Sequence, residues 1–368
     1  MKRVLVVFGT RPEAIKLAPL LEQLKSDDAF RIFTCCTGQH RELIDPFLSF
    51  FQIRADLDLN LMRPGQSLSH LHTALVAGVG DALAQTRADW VVVQGDTSSA
   101  MASALAAYHM RVPVAHVEAG LRTFDNQQPF PEEMNRRLID SVADVCFAPT
   151  ETNRQNLLRE GVPAESIFVT GNTAIDALKA LIETRPLAPC VQGAPLEIPY
   201  LLVTAHRREN HGQPLQNICC ALLEILALFD GIHAYYPLHP NPAVVDTVKP
   251  ILGNHPRVHL LPPLGYSEFV TLLRFCRFAL SDSGGVQEEA CYLGKPVLVL
   301  REKTERPELI QVGNGVLVGA ETGKIVAEAR QLLEDEDMYR ARAVSHTVFG
   351  DGNSSVRIAA VLAERLRE

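Results

Sequence analysis

The sequence predicts an α/β protein with two doubly wound parallel sheets. Three observations predict this class. Short runs rich in valine, isoleucine and leucine recur along the chain, and each is followed by a longer segment with helical periodicity. The apolar runs are continuous rather than alternating, which is typical of strands buried on both faces of a parallel sheet. The runs also fall into two series, so we expect two such domains.

The first series holds four predicted strands, each with a helical segment after it. They are RVLVVF ending at Phe8, Trp90–Gln94, Val112–Val117 and Ser166–Thr170. The second series begins with Tyr200–Ala205 and continues through the runs HAYYPL, RVHLLP, RFALSD, KPVLVL and GVLVG. Alternation of strands with helices is typical of βαβ units in a parallel sheet.

Between the two series lies the proline-rich segment RPLAPCVQGAPLEIPY. Its four prolines interrupt regular structure, so we predict an interdomain linker or a nearby loop here. A last helix is predicted from about Ser354 to the end of the chain, after the turn-rich sequence FGDGNSS. Its apolar positions Val356, Ala360, Leu362 and Leu366 require a partner surface, which the sequence does not identify.

Length, composition and charge limit the possible classes of function. The chain has 368 residues, of which 47% are hydrophobic and 21% charged, as expected for a globular protein of two domains. A formal net charge of −8 argues against a nucleic-acid partner, which would require dense neutralisation of phosphates by lysine and arginine. No apolar run reaches the roughly 20 residues of a membrane span. Because there is no signal-peptide pattern either, we predict a cytoplasmic protein.

The cysteines and carboxylates give no indication of a metal site. The eight cysteines show neither a C-x-x-C motif nor the spacing of metal ligands, so we interpret them as reduced packing residues. The carboxylates lie far apart in the sequence, and His239 stands alone in the turn HPNP. We therefore predict no metal.

The loop GTRPEAIK, from Gly9 to Lys16, connects the first predicted strand to the first helix. A dinucleotide-binding protein would carry G-x-G-x-x-G at this turn, where glycines let the backbone approach a pyrophosphate. This loop has one glycine together with Arg11 and Lys16, so we expect it to bind an anion other than a nicotinamide cofactor. The Tyr-x-x-x-Lys pair of NAD-dependent sugar epimerases is absent as well.

Polar residues directly follow several predicted strands, at the edge where open parallel sheets bind ligands. Asp96 and Glu118 follow strands of the first series, whereas His206 and Asp282 follow strands of the second. These positions predict a ligand site. A carboxylate there can equally serve as a helix cap or as an acceptor for loop hydrogen bonds.

The stretch DSGGVQEEA, which begins at Asp282, predicts a diphosphate site. Residues 283–285 are small and open a helix, so its N–H groups and positive end face the crevice without obstruction by side chains. One of the glutamates that follow, Glu288 or Glu289, lies where it can reach a ribose diol. The alternative is a helix start that needs small residues for close packing.

Two further segments carry charged side chains at the predicted crevice. PFPEEMNRR opens a helix with Glu132 and Glu133, which either act on a ligand or only complement the helix dipole. TAHRREN places His206 beside Arg207 and Arg208 at a strand end. That arrangement favours phosphate binding or proton transfer over a purely structural role.

Ten motifs occur here in the order of a known family. They are GTRPEAIK, QGDT, HVEAGLRT, PFPEEMNR, PTETNRQNLLREG, TGNTAIDAL, TAHRREN, DSGGVQEEA, LGKPVLVLR and TERPE, between Gly9 and Glu308. Each motif is weak alone. The set in register strongly resembles the non-hydrolysing UDP-N-acetylglucosamine 2-epimerases of bacteria, and the resemblance covers nearly the whole chain.

The resemblance implies two Rossmann-like domains that face each other across a cleft, as in glycosyltransferases of the B type. The implied first domain comprises residues 1–172 and a returning C-terminal helix, 354–368, and the UDP-binding second domain comprises residues 173–353. A homodimer is implied as well. Members of the family interconvert UDP-GlcNAc and UDP-ManNAc without a cofactor, which supplies ManNAc-type sugars for cell-envelope polysaccharide.

The resemblance also implies roles for residues at the matching motif positions. Asp96, Glu118 and Glu132 match the carboxylates that transfer protons, and His206 matches the histidine that holds or protonates the leaving phosphate. The matching residues around UDP and the sugar are Arg11, Lys16, Ser283, Gly284, Gly285 and Glu289. Glu289 matches the residue that binds the ribose.

Two departures from the family pattern bear on function. Gln94 stands where many relatives have histidine before Gly-Asp-Thr, which removes any part that this histidine plays. QHRELIDP resembles a segment associated in bacterial members with a second, activating UDP-GlcNAc molecule, but Pro46 replaces its last glutamine. If that regulatory site is retained, the resemblance implies that its members are Gln39, His40, Arg207 and His239.

Several other functions stay open on the sequence alone. A glycosyltransferase of the same fold would use DSGGVQEEA in the same way, but it would not need the trio Asp96, Glu118 and Glu132. A UDP-sugar-binding regulator would not need these carboxylates either. Within the epimerase hypothesis, a hydrolysing enzyme and an epimerase for another UDP-2-acetamido sugar are alternatives, because sugar selectivity depends on a few pocket contacts.

Overall fold

A computed structural model describes residues 1–38, 51, 53–63, 65–184, 190–192 and 194–366. The chain forms two compact units. The first contains Met1–Ala180 and Val348–Glu368, and the second contains Leu181–Thr347. The predicted domain boundaries at residues 172 and 353 stay a prediction, because compactness does not show which parts fold independently.

The described strands form two large parallel sheets and one small antiparallel pair. The first unit contains β1 (Lys2–Phe8), β2 (Phe30–Cys36), β3 (Leu57–Asp58), β4 (Trp90–Gln94), β5 (Val114–Val117), β6 (Val145–Ala148) and β7 (Ile167–Val169). The second contains β8 (Cys190–Val191), β9 (Ala194–Pro195), β10 (Tyr200–Thr204), β11 (His233–Pro237), β12 (Val258–Leu261), β13 (Ala279–Ser281), β14 (Val297–Val299) and β15 (Gly315–Leu317).

Helices connect most of these strands. In chain order, the first six are α1 (Arg11–Lys25), α2 (Leu68–Thr86), α3 (Ser98–His109), α4 (Glu132–Val142), α5 (Glu151–Arg159) and α6 (Thr173–Thr184). They are followed by α7 (Gln213–Leu228), α8 (Pro242–Leu252), α9 (Tyr266–Phe275), α10 (Gly284–Leu293), α11 (Pro307–Gln311), α12 (Thr322–Glu334), α13 (Glu336–Arg342) and α14 (Ser354–Arg365). Short 3-10 helices cover Ala164–Ser166 and Arg208–Asn210.

Both large sheets are doubly wound. The strand order is β3-β2-β1-β4-β5-β6-β7 in the first sheet and β12-β11-β10-β13-β14-β15 in the second. All pairs in these two sheets are parallel. The predicted class, two doubly wound α/β domains, is therefore confirmed. Strand order reverses between β1 and β4 and between β10 and β13, and ligands of open α/β sheets bind at such points.

The sequence analysis missed three strands of the first sheet, β2, β6 and the two-residue β3. β2 pairs with β1 along the whole of Lys2–Phe8, and β6 lies between β5 and β7. The sequence of β2 mixes Arg31 and Thr34 with apolar residues, and β6 is only four residues long, VCFA. Neither segment contains the continuous branched-aliphatic run that marks the other strands.

Strand β1 shows why its apolar run is unbroken. Successive side chains of a strand point to opposite faces of the sheet. Val4, Val6 and Phe8 pack in one core cluster with α1 and α14, whereas Leu5 and Val7 pack in another with α2 and α3. Because helices cover both faces, every one of these positions is buried.

The last helix, α14, packs within the first unit. Ile358, Leu362 and Leu366 recur every four residues and join the same core cluster as α1. The carboxylate of Asp176 on α6 accepts hydrogen bonds from the N–H groups of Ser354 and Ser355 at 3.2 and 2.7 Å, which caps the helix. Val356 and Ala360, which the sequence pattern placed on the apolar face, are exposed instead.

The remaining global features concern the linker, the thiols and the membrane. In the predicted linker, β8 and β9 form an antiparallel pair, and residues 185–189 and 193 lie outside the described residues. Seven cysteines have described side chains; these are free thiols, and all of them but Cys220 are buried. Burial raises the pKa of Cys35 to about 12, so this thiol is protonated at neutral pH. None of the described helices is long and apolar enough to cross a membrane.

Candidate active site

In the first unit, the loop after β1 is closed by its own glutamate. Glu13 is buried, and its Oε2 accepts hydrogen bonds from the N–H groups of Gly9 at 3.0 Å and Thr10 at 2.7 Å. Its Oε1 accepts one from Thr97 Oγ1 at 2.7 Å. Burial raises the pKa of Glu13, and these donors oppose that effect. The backbone donors that face a pyrophosphate in a dinucleotide-binding loop thus bind a protein carboxylate here.

Arg11 and Lys16 lie on α1, but only Lys16 reaches deep into the unit. Arg11 is the first residue of the helix and is half-buried. Lys16 is buried, and its Nζ donates to Glu118 Oε2. The sequence analysis placed Lys16 around UDP, and the structure places its charge against a predicted catalytic carboxylate.

Three side chains converge on one oxygen of Glu118. In addition to Lys16, Gln94 Nε2 donates to Glu118 Oε2 at 2.7 Å and Asn172 Nδ2 donates at 3.2 Å. Gln94 ends β4, and Asn172 precedes α6. The carboxylate is therefore held from three separate elements, and Gln94, the residue that departs from the family pattern, is one of the donors.

The backbone of Glu118 is strained. Its φ is +71°, in the left-handed region that non-glycine residues rarely occupy. Its N–H donates to the Phe147 carbonyl at 3.1 Å, and the Ala119 N–H donates to the same oxygen at 3.0 Å. Such a conformation costs on the order of 1–3 kcal/mol and persists where the surroundings impose it, often at functional sites.

Asp96 is bound to α4. Its carboxylate Oδ2 accepts a hydrogen bond from Arg136 Nη2, and its carbonyl accepts one from Asn135 Nδ2 at 2.9 Å. The N-cap of α3 is Thr97, whose side chain accepts from the Ala100 N–H. A role for Asp96 as helix cap, the alternative left open by the sequence, is therefore excluded.

The two adjacent glutamates at the start of α4 have different surroundings. Glu133 is fully buried, accepts hydrogen bonds from the N–H groups of Thr123 and Phe124, and binds Arg136 Nη1 at 3.1 Å. It thus has a structural role in holding the preceding loop. Glu132 is half-buried at the first position of the helix. Of the pair, Glu132 is the one that stays a candidate for chemistry.

A buried charged cluster fixes these segments relative to one another. His116 is fully buried, with Nδ1 at 2.6 Å from Asp140 Oδ1 and Nε2 at 2.8 Å from the Gly95 carbonyl. Asp140 Oδ2 also accepts from Arg122 Nη2 at 2.6 Å and from the Gly120 N–H at 3.2 Å. Burial alone would raise the pKa of Asp140, but His116 and Arg122 hold that pKa below its usual value.

The cluster joins the loop that carries Asp96, the loop that carries Glu118 and the helix that carries Glu132. Gly95 directly precedes Asp96, Gly120 lies two residues after Glu118, and Asp140 lies on α4. The structure therefore links the segments of all three carboxylates predicted to transfer protons.

In the second unit, Asp282 organises the loop that carries His206. Asp282 is fully buried, and its Oδ2 accepts hydrogen bonds from the N–H groups of His206 and Arg207, both at 2.8 Å, and from Asn210 Nδ2 at 2.9 Å. His206 Nδ1 lies 3.6 Å from Asp282 Oδ1. The His206 ring stacks on His239, with ring centroids 5.3 Å apart.

The start of α10 combines a packed glycine with an open one. A Cβ at Gly284 would lie 2.4 Å from Arg306 Nη1, so the fold requires a glycine there. A Cβ at Gly285 would meet no atom within 4 Å. Ser283 is the N-cap of the helix. The packing explanation therefore accounts for Gly284 but not for Gly285.

Arg301 and Arg306 form a second buried network of ion pairs, which includes Glu288 of α10. Arg306 Nε donates to Glu288 Oε1 and its Nη1 to Glu305 Oε1, both at 2.6 Å. Arg301 Nη1 donates to Glu305 Oε2 at 2.7 Å and its Nε to Glu209 at 2.9 Å. This network connects the TAHRREN segment with α10. Of the two glutamates considered for a ribose, Glu288 is bound by Arg306.

Three comparisons with known proteins bear on the family. The family model of UDP-N-acetylglucosamine 2-epimerase matches residues 22–363. A UDP-N-acetylglucosamine 2-epimerase of Salmonella typhimurium is 48% identical over 369 residues, which covers 98% of each protein. This chain belongs to the UDP-N-acetylglucosamine 2-epimerase family.

Solved structures of the family share the fold over the whole chain. The UDP-GlcNAc 2-epimerase of Neisseria meningitidis, in a crystal structure with UDP-GlcNAc bound, matches with a TM-score of 0.94 and 43% identity, over 98% of this chain and 100% of that one. The Methanocaldococcus jannaschii UDP-GlcNAc 2-epimerase, in complex with UDP-GlcNAc and UDP, matches with a TM-score of 0.88 and 34% identity, over 99% and 100%.

The structure tests the placement of the sequence-predicted residues only in part. Gln39 and His40, two predicted members of a regulatory site, lie outside the described residues, as does Pro46. The other two, Arg207 and His239, lie at His206. Among the described residues, no group of three or more His, Cys, Asp or Glu side chains is arranged to hold a metal ion.

Several site residues escaped the sequence analysis of this 2-epimerase family member. They are His116, Arg122, Arg136, Asp140, Asn172, Tyr266, Arg301, Glu305 and Arg306. Most lie inside the quoted motifs HVEAGLRT, PFPEEMNR, TGNTAIDAL and TERPE. The motifs identified the segments, but no local pattern distinguishes a residue that supports the site from one that faces it.

Replacing Asp140 tests the buried cluster. We expect Asp140→Asn to lower the free energy of unfolding by about 3 kcal/mol or more, because His116 and Arg122 would lose their shared counter-charge. Since the folded pKa of Asp140 is depressed, its contribution is present above the unfolded pKa of about 3.9 and is lost as pH falls through the folded pKa. Urea denaturation between pH 7 and pH 3 measures both effects.

The matched control for this prediction is Asp89→Asn. Asp89 is also an aspartate of the first unit with a lowered pKa, but its partner Arg3 lies at the surface. A partly exposed pair contributes far less than a buried one. Equal losses for the two variants would contradict the role given to the Asp140 cluster.

Proposed function

We propose that this chain interconverts UDP-GlcNAc and UDP-ManNAc by inverting C2 of the sugar. The observation that carries this proposal is the linkage of Asp96, Glu118 and Glu132 through one buried cluster at the carboxyl edge of the first sheet. Membership in the 2-epimerase family supports it. A glycosyltransferase of similar fold would need a diphosphate site but not this set of carboxylates.

The chemistry explains why several carboxylates are required. The C2 proton is not acidic, because no carbonyl group adjoins C2. We propose that a base removes this proton while the C1–O bond to UDP breaks, which leaves 2-acetamidoglucal and UDP. UDP then adds back to C1 as a proton reaches C2 from the opposite face. This sequence needs acid and base groups on both faces of C2 and a site that retains UDP.

The proposed roles follow from the placement of the side chains. Asp96, Glu118 and Glu132 transfer the protons, and Lys16, Gln94 and Asn172 fix the carboxylate of Glu118. His206, held by Asp282, contacts the leaving phosphate. Ser283, Gly284, Gly285 and Glu289 bind the diphosphate and the ribose, and Arg11 supplies positive charge for the anionic ligand.

A product assay in D2O tests the reaction. With UDP-GlcNAc as substrate, we expect UDP-ManNAc that carries deuterium at C2, detected by NMR, because the returning proton comes from solvent. Glu118→Gln is the control, with turnover lost and UDP affinity nearly unchanged, since the lost group acts on C2. UDP-ManNAc without deuterium would contradict the elimination mechanism. Release of free ManNAc would indicate a hydrolysing enzyme, and sugar consumption only with an acceptor would indicate a transferase.

Gly285→Ala tests the diphosphate site. We expect at least a tenfold loss of UDP affinity by calorimetry, an order-of-magnitude figure for removing one close contact to a charged group. The fold should tolerate the added methyl, because nothing lies within 4 Å of its position and alanine stabilises a helix by roughly 0.5–1 kcal/mol relative to glycine.

Gly323→Ala is the matched control for Gly285→Ala. Gly323 is likewise the second residue of its helix, α12, and a Cβ there would also meet nothing within 4 Å. We expect unchanged UDP affinity for this variant. If Gly285→Ala binds UDP as tightly as Gly323→Ala does, the diphosphate does not approach Gly285.

We also propose that the enzyme works as a homodimer. α3 and α4 pack against each other, and large apolar side chains on or beside them are exposed: Tyr108, Met110, Met134 and Leu138. A second copy that covers these side chains would remove them from water. Light scattering on the purified chain should give twice the monomer mass, and replacing Tyr108 and Leu138 by serine should shift the mass toward the monomer. A monomer mass for the unmodified chain would contradict the proposal.

A further inference from the structure

A tyrosine on a neighbouring helix forms a hydrogen bond with Glu289, the residue proposed to bind the ribose. Glu289 on α10 is 7% exposed, and Tyr266, the first residue of α9, is 5% exposed. Tyr266 Oη donates a hydrogen bond to Glu289 Oε1 at 2.8 Å. Sequence analysis did not select Tyr266, and no role in the reaction has been given to it above.

The direction of this hydrogen bond is fixed. Burial and the adjacent Glu289 carboxylate raise the pKa of Tyr266 well above its usual value, so the phenol keeps its proton and donates it. The backbone at Tyr266 is fixed as well, because the Gly265 N–H just before it donates to Glu268 Oε2 at 3.1 Å in a capping arrangement. A tyrosine has only two side-chain torsions, so little freedom remains once it is buried.

The location of Glu289 relative to Gly285 matches the shape of a nucleoside diphosphate. Both residues lie on α10, four positions apart, and therefore on the same face of the helix. One helical turn of about 5.4 Å separates them. Gly285 presents open backbone near the helix start, and Glu289 presents a carboxylate one turn further along. In a nucleoside diphosphate, the ribose hydroxyls likewise lie a short distance from the diphosphate.

We propose that Tyr266 is a positioning residue for ribose recognition, which orients the Glu289 carboxylate to accept hydrogen bonds from the 2′ and 3′ hydroxyls. A carboxylate has about four acceptor positions, so the tyrosine and a diol can bind it together. The pair makes the second unit selective for ribonucleoside diphosphates over their deoxy forms. The inference rests on the proposed function, in which Glu289 is the ribose ligand.

The consequence of losing the tyrosine hydroxyl is specific to the diol. Without the tyrosine donor, the Glu289 carboxylate is held less firmly, and the ligand must restrain it further on binding. This cost arises only for a ligand that uses the carboxylate. Because the ribose contact is the same before and after sugar elimination, its weakening should raise KM and leave kcat within about twofold.

The test compares three ligands by isothermal titration calorimetry. UDP, 2′-deoxy-UDP and 2′,3′-dideoxy-UDP are titrated into the full-length protein and into its Tyr266→Phe variant. We expect Tyr266→Phe to weaken UDP about tenfold, the order expected for one hydrogen bond to a charged group. We expect less than a twofold change for the dideoxy ligand and an intermediate change for the 2′-deoxy ligand.

Tyr200→Phe is the matched control. Tyr200 is a buried tyrosine of the same unit, and its Oη donates to the Leu272 carbonyl of α9 at 2.8 Å. The control therefore removes a buried hydroxyl that donates to the same helix, without touching Glu289. We expect it to bind all three ligands like the unmodified protein. Glu289→Ala measures how much UDP affinity is lost when the carboxylate itself is removed. Adding Tyr266→Phe to Glu289→Ala should change UDP affinity no further.

Three other outcomes would overturn the inference. If Tyr266→Phe weakens all three ligands equally, Tyr266 acts on the base or through the fold and does not position the ribose ligand. If it weakens none of them while the unmodified protein prefers UDP to the dideoxy ligand, Glu289 needs no positioning and only this inference fails. If the unmodified protein shows no preference for the diol, the ribose role of Glu289 in the proposed function fails, and the inference fails with it.

Discussion

The first unit depends on one buried carboxylate, Asp140. A carboxylate with negligible exposure is unfavourable unless it is paired, and this one accepts hydrogen bonds from His116, from Arg122 and from the Gly120 N–H. Its partners lie on β5 and in the loop after it, and His116 also binds the Gly95 carbonyl in the loop after β4. The buried charge therefore holds the loops after β4 and β5 against the helix α4.

The second unit also orders its loops with a buried carboxylate, at the point where its strand order reverses. Asp282 is fully buried and binds two backbone N–H groups and a side-chain amide from the segment after β10. Arg301 and Arg306 extend this support to α10 through Glu305. In both units, then, the loops at the carboxyl edge are ordered from within the protein by buried ion pairs. Such loops are pre-organised before any ligand binds.

The structure also separates neighbouring residues that the sequence treats alike. Glu132 and Glu133 are adjacent carboxylates in one motif, but Glu133 is saturated by the backbone of the preceding loop. Gly284 and Gly285 are adjacent glycines, but only Gly284 is required by packing, against Arg306. In each pair, the structure explains one residue by its contacts within the fold and gives no such explanation for the other, Glu132 or Gly285.

The sequence by itself determined the fold class, the segments of the site and the family, because these depend on local periodicity and on motif order. It missed β2, β3 and β6, which lack a continuous branched-aliphatic run. It predicted Lys16 near the nucleotide but did not identify the contact of Lys16 with Glu118. Only the tertiary structure decided such pairings, because the partners of a buried charge come from distant segments and are chosen by the need to satisfy that charge.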